Sequence, residues 1–306
     1  MCNITFFKFI FSLLIITQSL AACPNWTTSY NGTEKCYLFT STKINIAWYN
    51  AEASCNCIGG HLATIDNAYE NVFIAKNTNA SVWVGAYQVY INTIYWEWTA
   101  DRRVTYSNWY NPNSSYMVSY VQNGKWFQTG PEDNINNYAC EIPQDGIRCP
   151  KAQLINNNII FWTYYNSANT CYHNTLYIAN ADTFANTATK CDNLLSIHSA
   201  QESDALSSYL YSSLAYLNYQ EYIWVGIYDP YKNGSWVWFD GSPLNYTNWD
   251  EDEPQHGNDC ATFTSRFVNS IYQWASIPCS SQGIAICKSP ASVQKDQTFP
   301  EICNQL

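Results

Sequence analysis

One ladder of tryptophans, written into the chain twice, constrains its fold more than any other feature. Trp83-Val84-Gly85, Trp96-Glu97-Trp98, Tyr106-Ser107-Asn108-Trp109, Trp126 and Cys140 return in the same order as Trp224-Val225-Gly226, Trp236-Val237-Trp238, Tyr246-Thr247-Asn248-Trp249, Trp274 and Cys287. From the first Trp to the Asn-Trp turn is about 26 residues in one copy and about 25 in the other, and the offset between copies, about 140 residues, is the length of a domain. A period that long excludes a solenoid. It implies a tandem duplication of one globular unit, each copy burying its own aromatic core and the second expected to fold without the first.

Cysteine usage gives the compartment. Thirteen cysteines in 306 residues, at spacings unlike those of zinc sites, fit a disulfide framework formed in an oxidising environment. The start of the chain agrees: Lys8 precedes the apolar run from Phe9 to Ile16, and Ser19-Leu20-Ala21 offers the small residues that a signal peptidase reads. Residues 1–22 are therefore expected to be a signal peptide and the mature protein to be secreted, with no membrane anchor, since no later run of apolar residues is long enough to span a bilayer. Downstream of the signal six Asn-x-Ser/Thr sequons, at Asn25, Asn31, Asn79, Asn113, Asn233 and Asn245, would meet the glycosylation machinery on that route.

Charge removes several classes of partner. With 14 basic against 24 acidic residues the formal charge is −10, so neither a phosphate backbone nor an anionic membrane has a basic surface to meet. Aromatics make up 17% of the chain, and rings left over from the two cores suit stacking on sugar faces or a protein interface.

Each copy is expected to begin with helices and continue with short strands, an α+β arrangement. In the second, Ser199 and Glu202 form a capping box ahead of Ala205, Leu206, Tyr209, Leu210, Leu214 and Leu217 at helical spacing. In the first, a helix carrying Trp48, Ala51 and Cys55 precedes one over Asp66 to Lys76, whose apolar face reads as Val72, Phe73 and Ala75. Val82 to Val84 and Ile223 to Ile227 read as buried strands. Residues 23–142 form the first unit, 143–148 a linker with an Asp-Gly turn signal, 149–288 the second unit, and 289–306 a polar tail expected to be poorly ordered except near Cys303.

In order and spacing these landmarks resemble the C-type lectin-like domain over nearly the whole mature chain. The matching residues are Cys55 followed by Gly59-Gly60-His61-Leu62-Ala63-Thr64-Ile65, the Trp-Val-Gly strand, the Tyr-x-Asn-Trp turn and Cys140-Glu141. In the second copy they are Cys191, Leu195-Ser196-Ile197-His198-Ser199, Trp224-Val225-Gly226, Asn248-Trp249, Cys260, Trp274, Cys279 and Cys287-Lys288. The resemblance implies two tandem domains, each with two helices and short antiparallel sheets, stapled by Cys23–Cys36, Cys55–Cys140, Cys149–Cys171, Cys191–Cys287 and Cys260–Cys279. Once Cys2 leaves with the signal, Cys57 and Cys303 remain, to pair with each other or to link two chains as a covalent homodimer.

The resemblance also implies calcium-dependent sugar binding, in which carboxylates and amides of a long loop hold one Ca²⁺ and the vicinal hydroxyls of a sugar. That loop carries a Glu-Pro-Asn or Gln-Pro-Asp triplet with a cis proline, a Glu before the third cysteine, and Asn-Asp after the strand Trp. In the second copy Trp249-Asp250-Glu251-Asp252-Glu253-Pro254-Gln255 keeps Glu253, sets Gln255 where Asn or Asp belongs and Asn258 where Glu belongs, and replaces Trp-Asn-Asp with Trp274-Ala275-Ser276. Calcium takes 6–8 oxygens and binds in proportion to their charge, so at most weak binding is expected, through Glu253, Asn258 and Asp259, with Asp250 or Asp252 as further acidic oxygens. The sugar-facing set is Glu253, Gln255, Asn258 and Ser276, with Trp249 or Tyr246 as the stacking ring. The first copy lacks the loop disulfide, offers only Asn111-Pro112-Asn113 near the triplet, and has Trp126-Phe127-Gln128 in place of Trp-Asn-Asp; it is expected to be a scaffold or protein-contact unit.

No catalytic pattern competes. The four histidines, at 61, 173, 198 and 256, form no His-Glu-x-x-His pair, and there is no Gly-x-Ser-x-Gly elbow. His61 and His198 occupy matching structural positions, and His256, in the long loop, is the one placed to touch a ligand. The chain is expected to be a binding protein whose partner is a glycan or, alternatively, an extracellular protein met without calcium.

Overall fold

The computed structural model describes residues 23–30, 34–78, 80–91, 93–100, 102–112, 116–155, 157–175, 181–214, 222–263 and 273–305. The expected signal peptide, the sequons at Asn31, Asn79 and Asn113, and Leu217 lie outside them. Asn25, Asn233 and Asn245 are exposed.

The first module opens on strands rather than on a helix, the short Thr28–Ser29 paired antiparallel with the twelve-residue Lys35–Ile46. This strand pairs antiparallel with the module's last strand, Ile135–Pro143, from Lys35↔Pro143 to Ile46↔Ile135, so the two ends of the module are zipped together. Helix α1 (Trp48–Cys57) and helix α2 (Ala68–Lys76) follow. The Trp-Val-Gly strand, Val82–Ile91, then joins Ile135–Pro143 in parallel, Trp83↔Tyr138, and carries the hairpins Thr93–Trp98 and Val118–Gln122/Lys125–Thr129. The second module repeats the plan. Thr170–Asn174 pairs antiparallel with Gly283–Pro290, which lies parallel to Tyr222–Tyr228, and helices α3 (Phe184–Ala188) and α4 (Ala200–Leu214) sit between them. The expected short antiparallel sheets are therefore mixed sheets, because the strand that closes each module and the Trp-Val-Gly strand run the same way.

Glycine in Trp-Val-Gly follows from close approach. A Cβ on Gly226 would stand 2.2 Å from the Leu195 carbonyl oxygen, and one on Gly85 would stand 2.7 Å from that of Leu62. These backbones meet because Gly226 N–H donates to Leu195 and Gly85 N–H to Ala63.

The helices differ from the sequence reading in one respect. In α2 the buried face is Glu70, Asn71 and Ile74, while Val72 is exposed. Polar residues face inward here because each finds a partner. Glu70 accepts from Asp66 N–H and Lys35, and Asn71 donates to Gly124 O while accepting from Trp126 Nε1 at 2.7 Å. The α4 cap forms reciprocally. Ser199 Oγ accepts from Glu202 N–H, and the Glu202 carboxylate accepts from His198 N–H, one residue before the cap, and pairs with Lys288 at 3.0 Å.

The two modules share a buried polar contact. His61, at the end of the first module's helical segment, directs Nδ1 to Glu52 Oε1 at 2.7 Å and Nε2 to the Tyr164 carbonyl of the second module at 2.6 Å. Thr163 donates to Asn56 Oδ1 at 2.9 Å, and the Tyr165 ring meets the His61 ring edge-on. Each ring nitrogen lies within hydrogen-bond distance of an oxygen, an arrangement that favours the protonated ring. Burial pulls the His61 pKa down, but the Glu52 carboxylate and the Tyr164 carbonyl outweigh it and raise the pKa.

The tail does not hang free. Cys303 is joined to Cys57 of α1, Trp26 Nε1 donates to the Gln297 carbonyl, Phe299 packs edge-on against Trp26, and the Gln297 side chain accepts from Ile147 N–H in the linker. Lys151 of the second module pairs with Asp296 at 2.7 Å. The tail thus straps linker and both modules together, with contacts too far apart in sequence for composition to show them. Five further disulfides are closed, Cys23–Cys36, Cys55–Cys140, Cys149–Cys171, Cys191–Cys287 and Cys260–Cys279.

Two outcomes follow from this interface. Because the folded chain holds the His61 proton more tightly than the unfolded one, its stabilisation is complete below about pH 6.5 and is lost as pH rises through the raised folded value. Melting temperatures measured from acid to alkaline pH should fall across that window in the wild type and flatten in His61→Gln. Cys303→Ser, by freeing the strap, should cost about 2–4 kcal/mol in a denaturant titration, and the wild type should show no free thiol and run as a monomer on a non-reducing gel.

Candidate functional site

The long loop of the second module is held at its base by indoles. Trp274 N–H donates to Asn248 O and Asp250 N–H to Trp274 O, both at 2.8 Å, which brings the two ends of the loop side by side. Trp249 packs against Trp236 at 4.8 Å and Trp274 at 5.6 Å, and Tyr246 against Trp274 at 6.0 Å. These two rings, expected to stack on a sugar, spend much of their surface on the core.

From this base the chain turns through Asp250 to Asp252, with Asp252 in the left-handed region at φ 62° and Glu251 N–H capped by Asp250 Oδ1. The Glu253-Pro254 peptide is cis. Glu253, Gln255 and Asn258 around it are gathered by Ser276, which is 3% exposed on the strand Trp274–Ile277. The Ser276 hydroxyl donates to Glu253 Oε2 at 2.6 Å and accepts from Gln255 N–H at 2.7 Å. Its own N–H donates to Glu253 Oε2 at 2.8 Å, and its carbonyl accepts from Asn258 Nδ2 at 3.0 Å. Gln255 N–H also reaches Glu253 Oε2, and Gln255 Nε2 donates to the Asp252 carbonyl. Glu253, Gln255, Asn258 and Ser276 are thus brought together. Asp259 is not with them: its carboxylate lies 3.6 Å from Lys232, and its carbonyl accepts from Asp229 N–H. His256 is exposed beside Gly257.

This donor set does not fit calcium. The one carboxylate of the group already takes three hydrogen bonds on Oε2, a hydroxyl stands where further charge is needed, and Asp259 is turned to a lysine. Among the described residues no three His, Cys, Asp or Glu side chains lie close enough to share an ion, whereas calcium needs 6–8 oxygens with several charged. The loop is instead organised by the serine, a role its small size hides in the sequence. Its signal is that one hydroxyl both donates and accepts.

In the first module the corresponding place is aromatic. Phe127 lies in a column between Tyr110 and Tyr120, with centroids 5.1 and 5.2 Å apart, and Tyr120 meets buried Trp83 edge-on. Between the modules a cleft of about 790 Å³ carries five carboxylates, Glu34, Asp66, Glu70, Glu141 and Asp145, against Lys35, Arg102 and Arg148, and the three cations are each drawn into ion pairs. Lys35 meets Asp66 at 2.6 Å and Glu70 at 3.1 Å, Arg102 meets Asp66 at 2.7 Å, and Arg148 pairs with Asp145.

A sequence profile of the lectin C-type domain matches residues 44–143 and again 180–289. The secretory phospholipase A2 receptor of Bos taurus is 24% identical over 297 residues, covering 94% of this chain and 19% of the relative. Human lymphocyte antigen 75 is 22% identical over 295 residues, covering 88% and 16%. The chain therefore spans less than a fifth of the length of these relatives. Among solved structures, the C-type carbohydrate-recognition domain of cow CD23 is 23% identical, with 40% of this chain aligned to 97% of that one at a TM-score of 0.37.

Calorimetric titration of the intact chain with calcium should give no saturable heat. A tight, stoichiometric isotherm would mean that Asp250 or Asp252 swings in to supply the missing charge. Ser276→Ala should destabilise the second module by about 1–3 kcal/mol, the cost of leaving buried partners unpaired, read as a lowered denaturant midpoint.

Proposed function

The chain belongs to the C-type lectin domain family, and from that premise we propose that it is an extracellular, non-enzymatic recognition protein that binds a glycan at the second module's long loop without resident calcium. The observation that carries this reading is the Ser276 hub. It fixes Glu253, Gln255 and Asn258 in one place with hydrogen bonds, the task that falls to the ion in the calcium-dependent members. What these groups still offer is an amide carbonyl on Asn258, the second Glu253 oxygen and the Gln255 carbonyl. That is an acceptor-rich surface suited to the hydroxyls of a neutral sugar. Six closed disulfides support an oxidising destination, as do the exposed sequons at Asn25, Asn233 and Asn245. The modules run over 23–142 and 149–288 in this reading.

One observation favours a protein ligand instead. The bovine relative is by its name a receptor for a secreted phospholipase, and the similarity covers 94% of this chain. The same loop surface would then meet a protein partner.

A glycan array probed with the intact chain, with and without a chelator, separates these outcomes. The proposal expects the same spots in both conditions and their loss in Glu253→Gln. Spots that vanish on chelation would overturn the calcium-free reading, and a blank array would turn the assignment to the protein ligand.

A further inference from the structure

A cavity of about 660 Å³ opens in the first module, where the end of α2, the start of the Trp-Val-Gly strand and the start of the closing strand converge, far in sequence from the long loop of the second module. Its size falls within that of small-ligand pockets, ~300–1,000 Å³, and its lining is unusual for this acidic chain. No ionisable side chain contributes. The wall is made of amides and hydroxyls, chiefly Asn77, Thr78, Ser81, Gln122 and Asn137, set against one aromatic ring, Phe39.

The polar groups are held but not exhausted. Asn77 Nδ2 donates to Phe73 O at 2.8 Å and Asn137 Nδ2 to Ser81 O at 2.9 Å, which orients both amides and leaves both Oδ1 atoms to accept. Thr78 donates its hydroxyl proton to Ile74 O at 3.0 Å and keeps its lone pairs. The Gln122 amide has no hydrogen bond among the described residues and is exposed at the mouth. Phe39 is fixed from behind, stacked with Tyr37 at 6.2 Å and edge-on to Phe73 at 5.7 Å. Its free side is therefore a rigid apolar ledge beside pre-oriented amides.

That combination selects a ligand by exclusion and by match. Phosphates, carboxylates and ammonium groups would enter with no countercharge and lose their hydration. A purely apolar molecule would strand the amide groups. A pyranose ring meets both demands, with hydroxyls that donate and accept toward amides and a C–H face that lies on an aromatic ring. We propose that this cavity is a saccharide site, independent of the long loop and of any ion. The sugar can come from two sources, a free glycan or one attached to the chain itself, because Ala80 and Ser81 of the sequon Asn79-Ala80-Ser81 line the cavity.

The test uses the intact chain with chelator present throughout. Asn79→Gln removes the attached glycan, and saturation-transfer NMR with methyl α-mannoside, methyl β-galactoside and N,N′-diacetylchitobiose reads binding. Gln122→Trp, at an exposed position without a hydrogen bond to lose, blocks the mouth without touching the core. For a free glycan the expected result is transfer to at least one probe in Asn79→Gln, weakened roughly tenfold or more by Gln122→Trp, a loss of one or two hydrogen bonds and the stacking contact, and unchanged in Glu253→Gln. For an attached glycan, the expected result is slow release of the Asn79 sugar by endoglycosidase in the folded wild type and fast release in Gln122→Trp. If transfer survives Gln122→Trp but is lost in Glu253→Gln, the sugar sits at the long loop and the cavity proposal is wrong. If no probe binds and release is equally fast in both proteins, it is wrong as well.

Discussion

Each module is built on one buried indole that receives others around it. Trp126 in the first and Trp274 in the second are fully buried and are met by Trp98 or Trp238 at 5.5 Å, by Trp109 or Trp249 at 5.2 and 5.6 Å, and by Tyr106 or Tyr246 at 5.9 and 6.0 Å. These edge-to-face packings bury large areas and prefer this geometry over parallel stacking. Their structural effect is larger than their energy suggests, since they pin the start and end of the long loop together. What the loop does beyond that point is then free to differ. In the second module it folds around Ser276. In the first it is short, and Phe127 joins an aromatic column. The duplicated frame tolerated that divergence because the indoles, and not the loop residues, close the module.

The two copies are not equally satisfied. Trp126 Nε1 donates to Asn71 Oδ1, whereas the matching nitrogen of Trp274, and those of Trp98 and Trp238, have no partner among the described residues. A buried donor without a partner costs desolvation, so the first module's α2, by turning Asn71 inward, relieves a cost that the second module bears. The same choice explains why α2 reads poorly as an amphipathic helix. Its inward face is chosen for hydrogen bonds, not for apolar area.

What was legible in the sequence were the features with a local period or a repeated order: the Trp ladder, the strands that carry it, the α1 and α4 faces, and the lectin-like arrangement of cysteines. What was not legible depends on partners far along the chain. Glu70 and Asn71 look like surface residues until Lys35, Gly124 and Trp126 are placed beside them. The tail looks like a polar terminus until Gln297 is seen holding Ile147 and Trp26. Ser276 looks like the loss of a ligand, and only its surroundings show that it hydrogen-bonds Glu253, Gln255 and Asn258. His61 looks like a landmark of the fold, and only Tyr164, about a hundred residues away, makes it part of a contact between modules. Periodicity reports which face an element buries. It carries no information on which polar group waits there.

The contact at His61 and the strap at Cys303 bear on recognition as well as on stability. A flexible join between two binding modules lets each find its ligand alone, and avidity then depends on the reach of the linker. Here the linker is not the join. Ile147 is buried and bonded to Gln297, Thr163 and Tyr164 are bonded to α1 and to His61, and a disulfide ties α1 to the end of the chain. The surfaces proposed to bind on the two modules are thus held in a fixed relation. A ligand with two determinants gains affinity from such a body only when their spacing matches, and a mismatched ligand gains none. For the sites proposed on the two modules, the strap thus favours ligands whose determinants match one fixed spacing.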